Sequence, residues 1–287
     1  MTERQQISLL VVLWLVVGAV AIQVAIAPSP TFSLWREISG VFERGNEKLF
    51  AAADAEQPFH PSDNAMADVD RTLASAKANN KLALIVLGAN WCHDSMGLVE
   101  HFNTSEMQQV LSDKYELLLV DVGYLEYGGD IVQRFGHPII YGTPTVLVID
   151  PETEQQVNEK SMHQWRAAAS ISLDDTVSHF ADLMVAPPQQ SSPASPQLQK
   201  AFADIDAFEN EQAARIATAY EHLSPLIALD RKDRPANFYE LWEQVRVMRY
   251  KITEDLTTLR AIARRQAALN APEIILEYPS YPKFDWE

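Results

Sequence analysis

Apolar and polar positions run along the chain in blocks, and the period of each block predicts an element. Ile7 to Ala27 is apolar except for Ser8 and Gln23. At about 1.5 Å per helical residue, that length crosses a hydrocarbon core of about 30 Å. Further on, Met66, Val69, Leu73 and Ala76 recur at helical spacing behind Asp63, a suitable N-cap, and Asn79-Asn80 closes the segment. Leu82 to Leu87 is a short continuous apolar run, which reads as a buried strand, and Met96, Val99, Glu100 and Phe102 continue as a helix. Asn103 with Glu106 three residues on resembles a capping box opening a short helix through Leu111, ahead of a second apolar strand at Leu117 to Val122. Gly128-Gly129-Asp130 opens a helix to Phe135, Gly136-His137-Pro138 ends it, and Thr145 to Ile149 is a third strand. Asp150-Pro151-Glu152-Thr153 is a turn into a further strand, followed by a helix near Leu173 to Met184. Helices and strands alternating in this way predict an α/β domain with a mixed sheet covered by helices. Trp165, in the connecting segment, reads as a packing residue.

The pattern then changes. Ala186 to Pro196 holds four prolines among Ser and Gln with no apolar period, a semi-rigid linker. Beyond it, Phe202, Ile205, Ile216, Tyr220 and Leu223 mark a helix stopping near Ser224-Pro225. Phe238, Leu241, Val245, Met248, Ile252, Leu259 and Ile262 mark another, its near-heptad spacing broken by Asp255. Together they predict an antiparallel hairpin. The divisions are 1–28 membrane anchor or signal segment, 29–62 tether, 63–185 α/β domain, 186–196 linker, 197–270 hairpin and 271–287 aromatic, proline-rich tail.

The candidate chemistry lies between the first strand and its helix, at Gly88-Ala89-Asn90-Trp91-Cys92-His93-Asp94-Ser95, which contains the chain's one cysteine. A cysteine at a helix start meets unpaired backbone N–H groups and the positive end of the helix dipole, which favour a thiolate. These residues resemble the W-C-x-x-C site of the thioredoxin-like superfamily, with Ser95 in place of the second cysteine. Gly142-Thr143-Pro144-Thr145 resembles the segment carrying that superfamily's cis-proline, here Pro144, opposite the active-site cysteine. The resemblance covers residues 63 to 185. It implies Cys92 as nucleophile, Ser95 at the resolving position, and Trp91, Thr143 and Pro144 as the substrate-binding surface. The buried acid that often stands six residues before the nucleophile is Val86 here. Because Ser95 cannot resolve a mixed disulfide, the chemistry expected is monothiol exchange completed by an outside thiol, with protein thiols or disulfides and a low-molecular-weight thiol as partners. His93 favours a thiolate when protonated and Asp94 opposes it. The rival expectation is a redox-silent binding module that holds an extended peptide by backbone pairing beside Thr143-Pro144.

Composition narrows the partners. Net charge is −16, and residues 41 to 185 hold 22 acidic against 9 basic side chains. Such a surface repels nucleic acid and anionic headgroups. The seven histidines are scattered, none in metal-ligating spacing with the cysteine or another histidine. A Gly-rich phosphate loop, a G-x-S-x-G turn and an H-E-x-x-H helix are absent from the sequence, and neither metal nor cofactor is expected. The spanning length of Ile7 to Ala27 favours an uncleaved anchor, with a signal peptide cut after Ala21 or Ala27 as the alternative. Arg4 on one flank and Arg36 and Arg44 on the other leave orientation undecided. Analogy with tethered superfamily members places the chain in a bacterial-type inner membrane, single-pass, with its soluble part extracytoplasmic.

Overall fold

The computed structural model describes residues 57–184 and 195–287. The apolar stretch Ile7 to Ala27, most of the tether and nearly all of the linker lie outside these residues. Among the described residues, no helix is long and apolar enough to cross a membrane.

The sheet is built on β1 (Leu82–Gly88), whose seven residues are all buried. Burial on both faces is what a continuous apolar run requires. On one side β1 pairs in parallel with β2 (Tyr115–Asp121), from Leu82 opposite Tyr115 to Gly88 opposite Asp121. On the other it pairs antiparallel with β3 (Thr145–Ile149), from Ala83 opposite Ile149 to Leu87 opposite Thr145. The order is β2-β1-β3, a mixed sheet as expected. The fourth strand is not formed. Beyond β3 there is a single bridge, Ile149 to Gln156, and Val157 N donates to Val148 O at 2.7 Å. Asn158 then substitutes its side chain for a strand, Oδ1 accepting from Val148 N at 2.8 Å and Nδ2 donating to Val146 O at 2.9 Å. One buried amide thus satisfies β3 backbone groups that a longer strand would otherwise have met.

Helices cover the sheet: α1 (Ala65–Ala78), α2 (His93–Phe102), α3 (Ser105–Lys114), α4 (Gly129–Arg134) and, after a kinked 3-10 segment at Met162–Ser170, α5 (Leu173–Asp182). Two caps are displaced by one residue from their sequence assignments. Asn64, not Asp63, caps α1, its Oδ1 accepting from Ala67 N at 3.0 Å. Asn103 closes α2 through its own N–H to Val99 O and Glu100 O, so the cap of α3 falls to Thr104, whose hydroxyl accepts from Met107 N. Trp165 is fully buried and stacks on Phe180, with ring centroids 4.8 Å apart, in the packing role expected of it.

The hairpin pairs α6 (Pro196–Ile227) with α7 (Phe238–Ala268). Ser195, at the linker's end, caps α6 through Leu198 N, with Pro196 in the first turn where its missing N–H costs nothing. Helix α6 runs through Ser224-Pro225 to Ile227, with Ser224 Oγ in reach of Tyr220 O at 2.7 Å and Tyr124 O at 2.6 Å. Asp255 does not break α7. It lies on the outer face, accepting from Lys251 Nζ and from the Tyr281 hydroxyl. The apolar face of the hairpin closes on itself and also joins the sheet's core, so that Ile85, Leu147, Ile216, Leu223 and Val245 belong to one buried cluster. The tail is laid along the hairpin. Phe284 is buried, Arg215 binds the Glu287 carboxylate and Pro282 O, and Gln266 exchanges two hydrogen bonds with Ile275.

Candidate functional site

Cys92 is the N-cap of α2, with extended backbone (φ −89°, ψ 117°), and is half-buried. This follows from the local sequence. β1 ends at Gly88, whose position tolerates no side chain because an added Cβ would stand 2.5 Å from the Phe59 ring and 2.9 Å from Ser95 Oγ. The turn Ala89-Asn90-Trp91 then carries the chain into the helix, with Cys92 N donating to Ala89 O at 3.1 Å. Asn90 fixes the turn by exchanging hydrogen bonds with the Phe59 backbone at 3.0 and 2.7 Å.

The segment before β3 meets the sulfur. The Thr143–Pro144 peptide bond is cis. The Cys92 thiol donates to Thr143 O at 3.3 Å, and the Thr143 hydroxyl lies 3.2 Å from Sγ as a donor. A hydroxyl donor is thereby in place for the sulfur in its thiolate form. Cys92, Thr143 and Pro144, far apart in sequence, are brought together as expected, though Thr143 and Pro144 are both buried.

Ser95 is fully buried. Its Oγ accepts from Ala89 N at 3.4 Å, pointing its hydrogen bonding toward the end of β1. His93 is exposed, and Asp94 Oδ1 accepts from Ala169 N at 3.1 Å, tying the first turn of α2 to the 3-10 segment. An acidic residue in that turn also suits the helix dipole.

Trp91 is held from three sides. Its indole N–H donates to Gly123 O at 2.7 Å, Tyr124 stacks on it at 6.4 Å, and Trp242 of α7 meets it edge-on at 6.2 Å. Gly123 is itself held by Asp121 Oδ1, which accepts from its N–H at 3.0 Å, and burial raises the Asp121 carboxyl above its usual range. Sequence reading missed Asp121, Gly123, Tyr124 and Trp242. Asp121 carries a signal, since a carboxylate closing an apolar strand stands out. Trp242 carries none, being one aromatic on an amphipathic helix more than a hundred residues away.

The hairpin closes over the segment leading to Pro144. Tyr220 OH donates to Ile140 O at 2.6 Å, and Tyr141 OH donates to Glu209 Oε1 at 3.0 Å. Both phenols are pushed up by burial, so both stay protonated as donors. Arg166, from the 3-10 segment, reaches α7, and burial is the largest cause lowering its proton affinity. His163, next to it, is pushed down to about 3 by burial first and then by Arg166 and His137.

Residues 64–151 match the sequence model of a family described as thioredoxin-like. Among solved structures, the disulphide isomerase from Xylella fastidiosa Temecula1 is 26% identical, with 43% of this chain and 94% of that chain covered and a TM-score of 0.40. No curated protein matches the chain. Residues 64–151, with their mixed sheet, their cysteine at the start of α2 and their proline ahead of β3, form a thioredoxin-like domain.

Proposed function

We propose that the protein carries out monothiol thiol-disulfide exchange through Cys92 on partner thiols or disulfides, tethered to a bacterial-type inner membrane by Ile7 to Ala27 with its soluble part extracytoplasmic. The observation that carries the chemistry is the placement of a half-buried cysteine at a helix N-terminus, with its sulfur against the Thr143 hydroxyl. In the first step the Cys92 thiolate attacks one sulfur of a partner disulfide. The new bond joins Sγ to that sulfur, the partner's S–S bond breaks, and the electron pair leaves on its second sulfur. Ser95 has no thiol with which to expel the partner, so a second thiol from outside attacks the mixed disulfide and regenerates Cys92.

The test is a set of non-reducing gels on the full chain with two variants. The wild type accumulates mixed disulfides that collapse on reduction, Cys92→Ser loses them entirely, and Ser95→Cys clears them and gains disulfide reductase turnover. Adducts that survive in Cys92→Ser overturn the assignment. The tether is checked by carbonate extraction: the intact chain stays with the membranes, and recovery of uncleaved chain in the soluble fraction removes the anchor.

A further inference from the structure

Edge strands of a sheet are open to an added strand unless the protein covers them. Here the outer edge of β3 is covered from Val146 to Ile149 by the chain itself. Gln156 and Val157 pair at Ile149 and Val148, and the Asn158 amide takes Val148 N and Val146 O. Ahead of Pro144, outside the strand, lies Gly142, and the stem of Arg166 packs on it from the side where a Cβ would stand. A Cβ built on Gly142 would stand 2.6 Å from Arg166 Cδ and 2.8 Å from Cγ, so this position is a glycine because an arginine side chain lies on it.

Arg166 is fastened where it lies. Nη1 donates to Arg249 O at 3.2 Å, Nη2 to Thr253 Oγ1 at 3.2 Å and Nε to His163 O at 3.0 Å. The Tyr250 ring lies beneath the guanidinium at 4.1 Å, and the Tyr250 hydroxyl donates to Arg166 O at 3.3 Å. Of these, Arg249, Thr253 and Tyr250 all belong to α7. Residues 140 to 144 are buried, Gly142 against Arg166 and Ile140 against Tyr220, while Cys92 is half-buried. Cys92 is thus the more open partner of the pair it forms with Thr143.

We propose that Arg166, clamped by α7, is the specificity-determining residue of the Cys92 site: it occupies the place where an extended polypeptide would pair beside Thr143, and leaves the thiol to disulfides that protrude, low-molecular-weight ones first. This rests on the exchange chemistry proposed above and narrows its substrate class. It also closes the route that a peptide-binding module would use.

The experiment compares two probes with the same leaving group, N-acetylcysteine amide and a short unstructured peptide with one central cysteine, each as its mixed disulfide with 2-nitro-5-thiobenzoate. Cys92 attacks the cysteine sulfur, a Cys92–cysteine disulfide forms, and the coloured nitrothiobenzoate leaves with the electron pair. In the full-length wild type the small probe reacts at least about tenfold faster than the peptide. Arg166→Ala brings the two rates to within about threefold by raising the peptide rate alone. Arg166→Lys keeps the stem over Gly142 and retains the wild-type preference, and Thr253→Val, which loosens the clamp without touching the stem, gives an intermediate ratio. Thermal melting confirms that each variant is folded. Equal rates in the wild type, or an unchanged ratio in folded Arg166→Ala or Thr253→Val, overturn the specificity role while exchange stands. Failure of Cys92 with both probes overturns the exchange reading and this inference with it.

Discussion

The thiol face and the seam beneath the hairpin hold their polar groups in opposite ways. At the thiol face the ionisable groups Cys92, His93, Asp94 and Asp121 are half-buried or exposed, and some bonds are short in sequence, such as Ser95 to Ala89 and Asp121 to Gly123. At the seam, Arg249 is 5% exposed and neither it nor Arg166 has a carboxylate within ion-pairing distance among the described residues. Backbone carbonyls, a hydroxyl and a ring face receive Arg166 instead, while Arg249 has the Trp242 ring at 4.9 Å and the Tyr220 hydroxyl 3.3 Å from Nη1, its Nε being buried without a hydrogen-bond partner among the described residues. Neutral acceptors compensate a buried cation only when several are placed together, because each returns less than water gave. The seam therefore depends on the whole hairpin being in register, whereas the thiol face meets the hairpin through Trp91 against Trp242 and is otherwise held within the α/β domain.

The sharpest way to break this contrast is to weaken the hairpin's share of the core. Ile216 is fully buried in α6. Ile216→Ala should cost about 3 kcal/mol, within the usual range for truncating a buried aliphatic side chain. Because α6 and the sheet share one cluster, far-UV circular dichroism and tryptophan fluorescence should report coincident urea transitions at a lowered midpoint. Two separated transitions, with the sheet surviving the hairpin, would show that residues 63 to 185 stand alone as the sequence divisions expected.

A smaller effect compares one carboxylate from each region. Glu209, 8% exposed, accepts from Tyr141 OH and from Arg260 Nη2 at 2.7 Å. Glu209→Ala leaves a buried phenol without its acceptor and should cost about 2 kcal/mol, while Glu209→Gln keeps an acceptor and costs less. Asp94 at the thiol face accepts one backbone N–H in a half-buried setting, and Asp94→Ala should cost about 1 kcal/mol. Chemical denaturation of the three variants checks the order. Equal costs for Glu209→Ala and Asp94→Ala would erase the distinction.

The same division explains what could be read from the sequence. The three strands were legible to within two residues at each end, because β1 and β3 are continuous apolar runs bounded by turn residues. Cys92 and Thr143-Pro144 were legible because each sits in a short pattern. The missing fourth strand was not, since a side-chain amide replaces a backbone ladder and Asn158 looks like any polar loop residue. Nor was the seam legible. Arg166 meets Arg249 and Thr253 across more than eighty residues of sequence, and Gly142 gives no sign that its missing Cβ makes room for the Arg166 stem. Tertiary burial of arginine leaves no period to detect: Arg249 lies outside the apolar positions read for α7, next to Met248, and is buried all the same.

The subtlest contrast between the regions is in pH. His163 meets the Tyr141 ring edge-on at 6.0 Å, and burial with the neighbouring Arg166 and His137 holds its folded-state value down to about 3. In the unfolded chain a histidine titrates near about 6.5. Between those values the unfolded state binds a proton at this residue that the folded state does not, so unfolding takes up protons and stability falls as pH drops through the window. Above about pH 6.5 the histidine is neutral in both states and contributes no slope. His163→Phe keeps a ring against Tyr141 and removes the titration. Between pH 7.5 and pH 5.5 the wild type should therefore lose about 1.4 kcal/mol more than His163→Phe, measured from urea midpoints at each pH. His179, also lowered by burial, is present in both proteins and drops out of the difference. If the two proteins lose stability in parallel, His163 is hydrated in solution and the seam is looser than its buried arginines imply. If the difference appears, the hairpin shuts water out beside Arg166, the same closure that denies an extended chain its place next to Cys92.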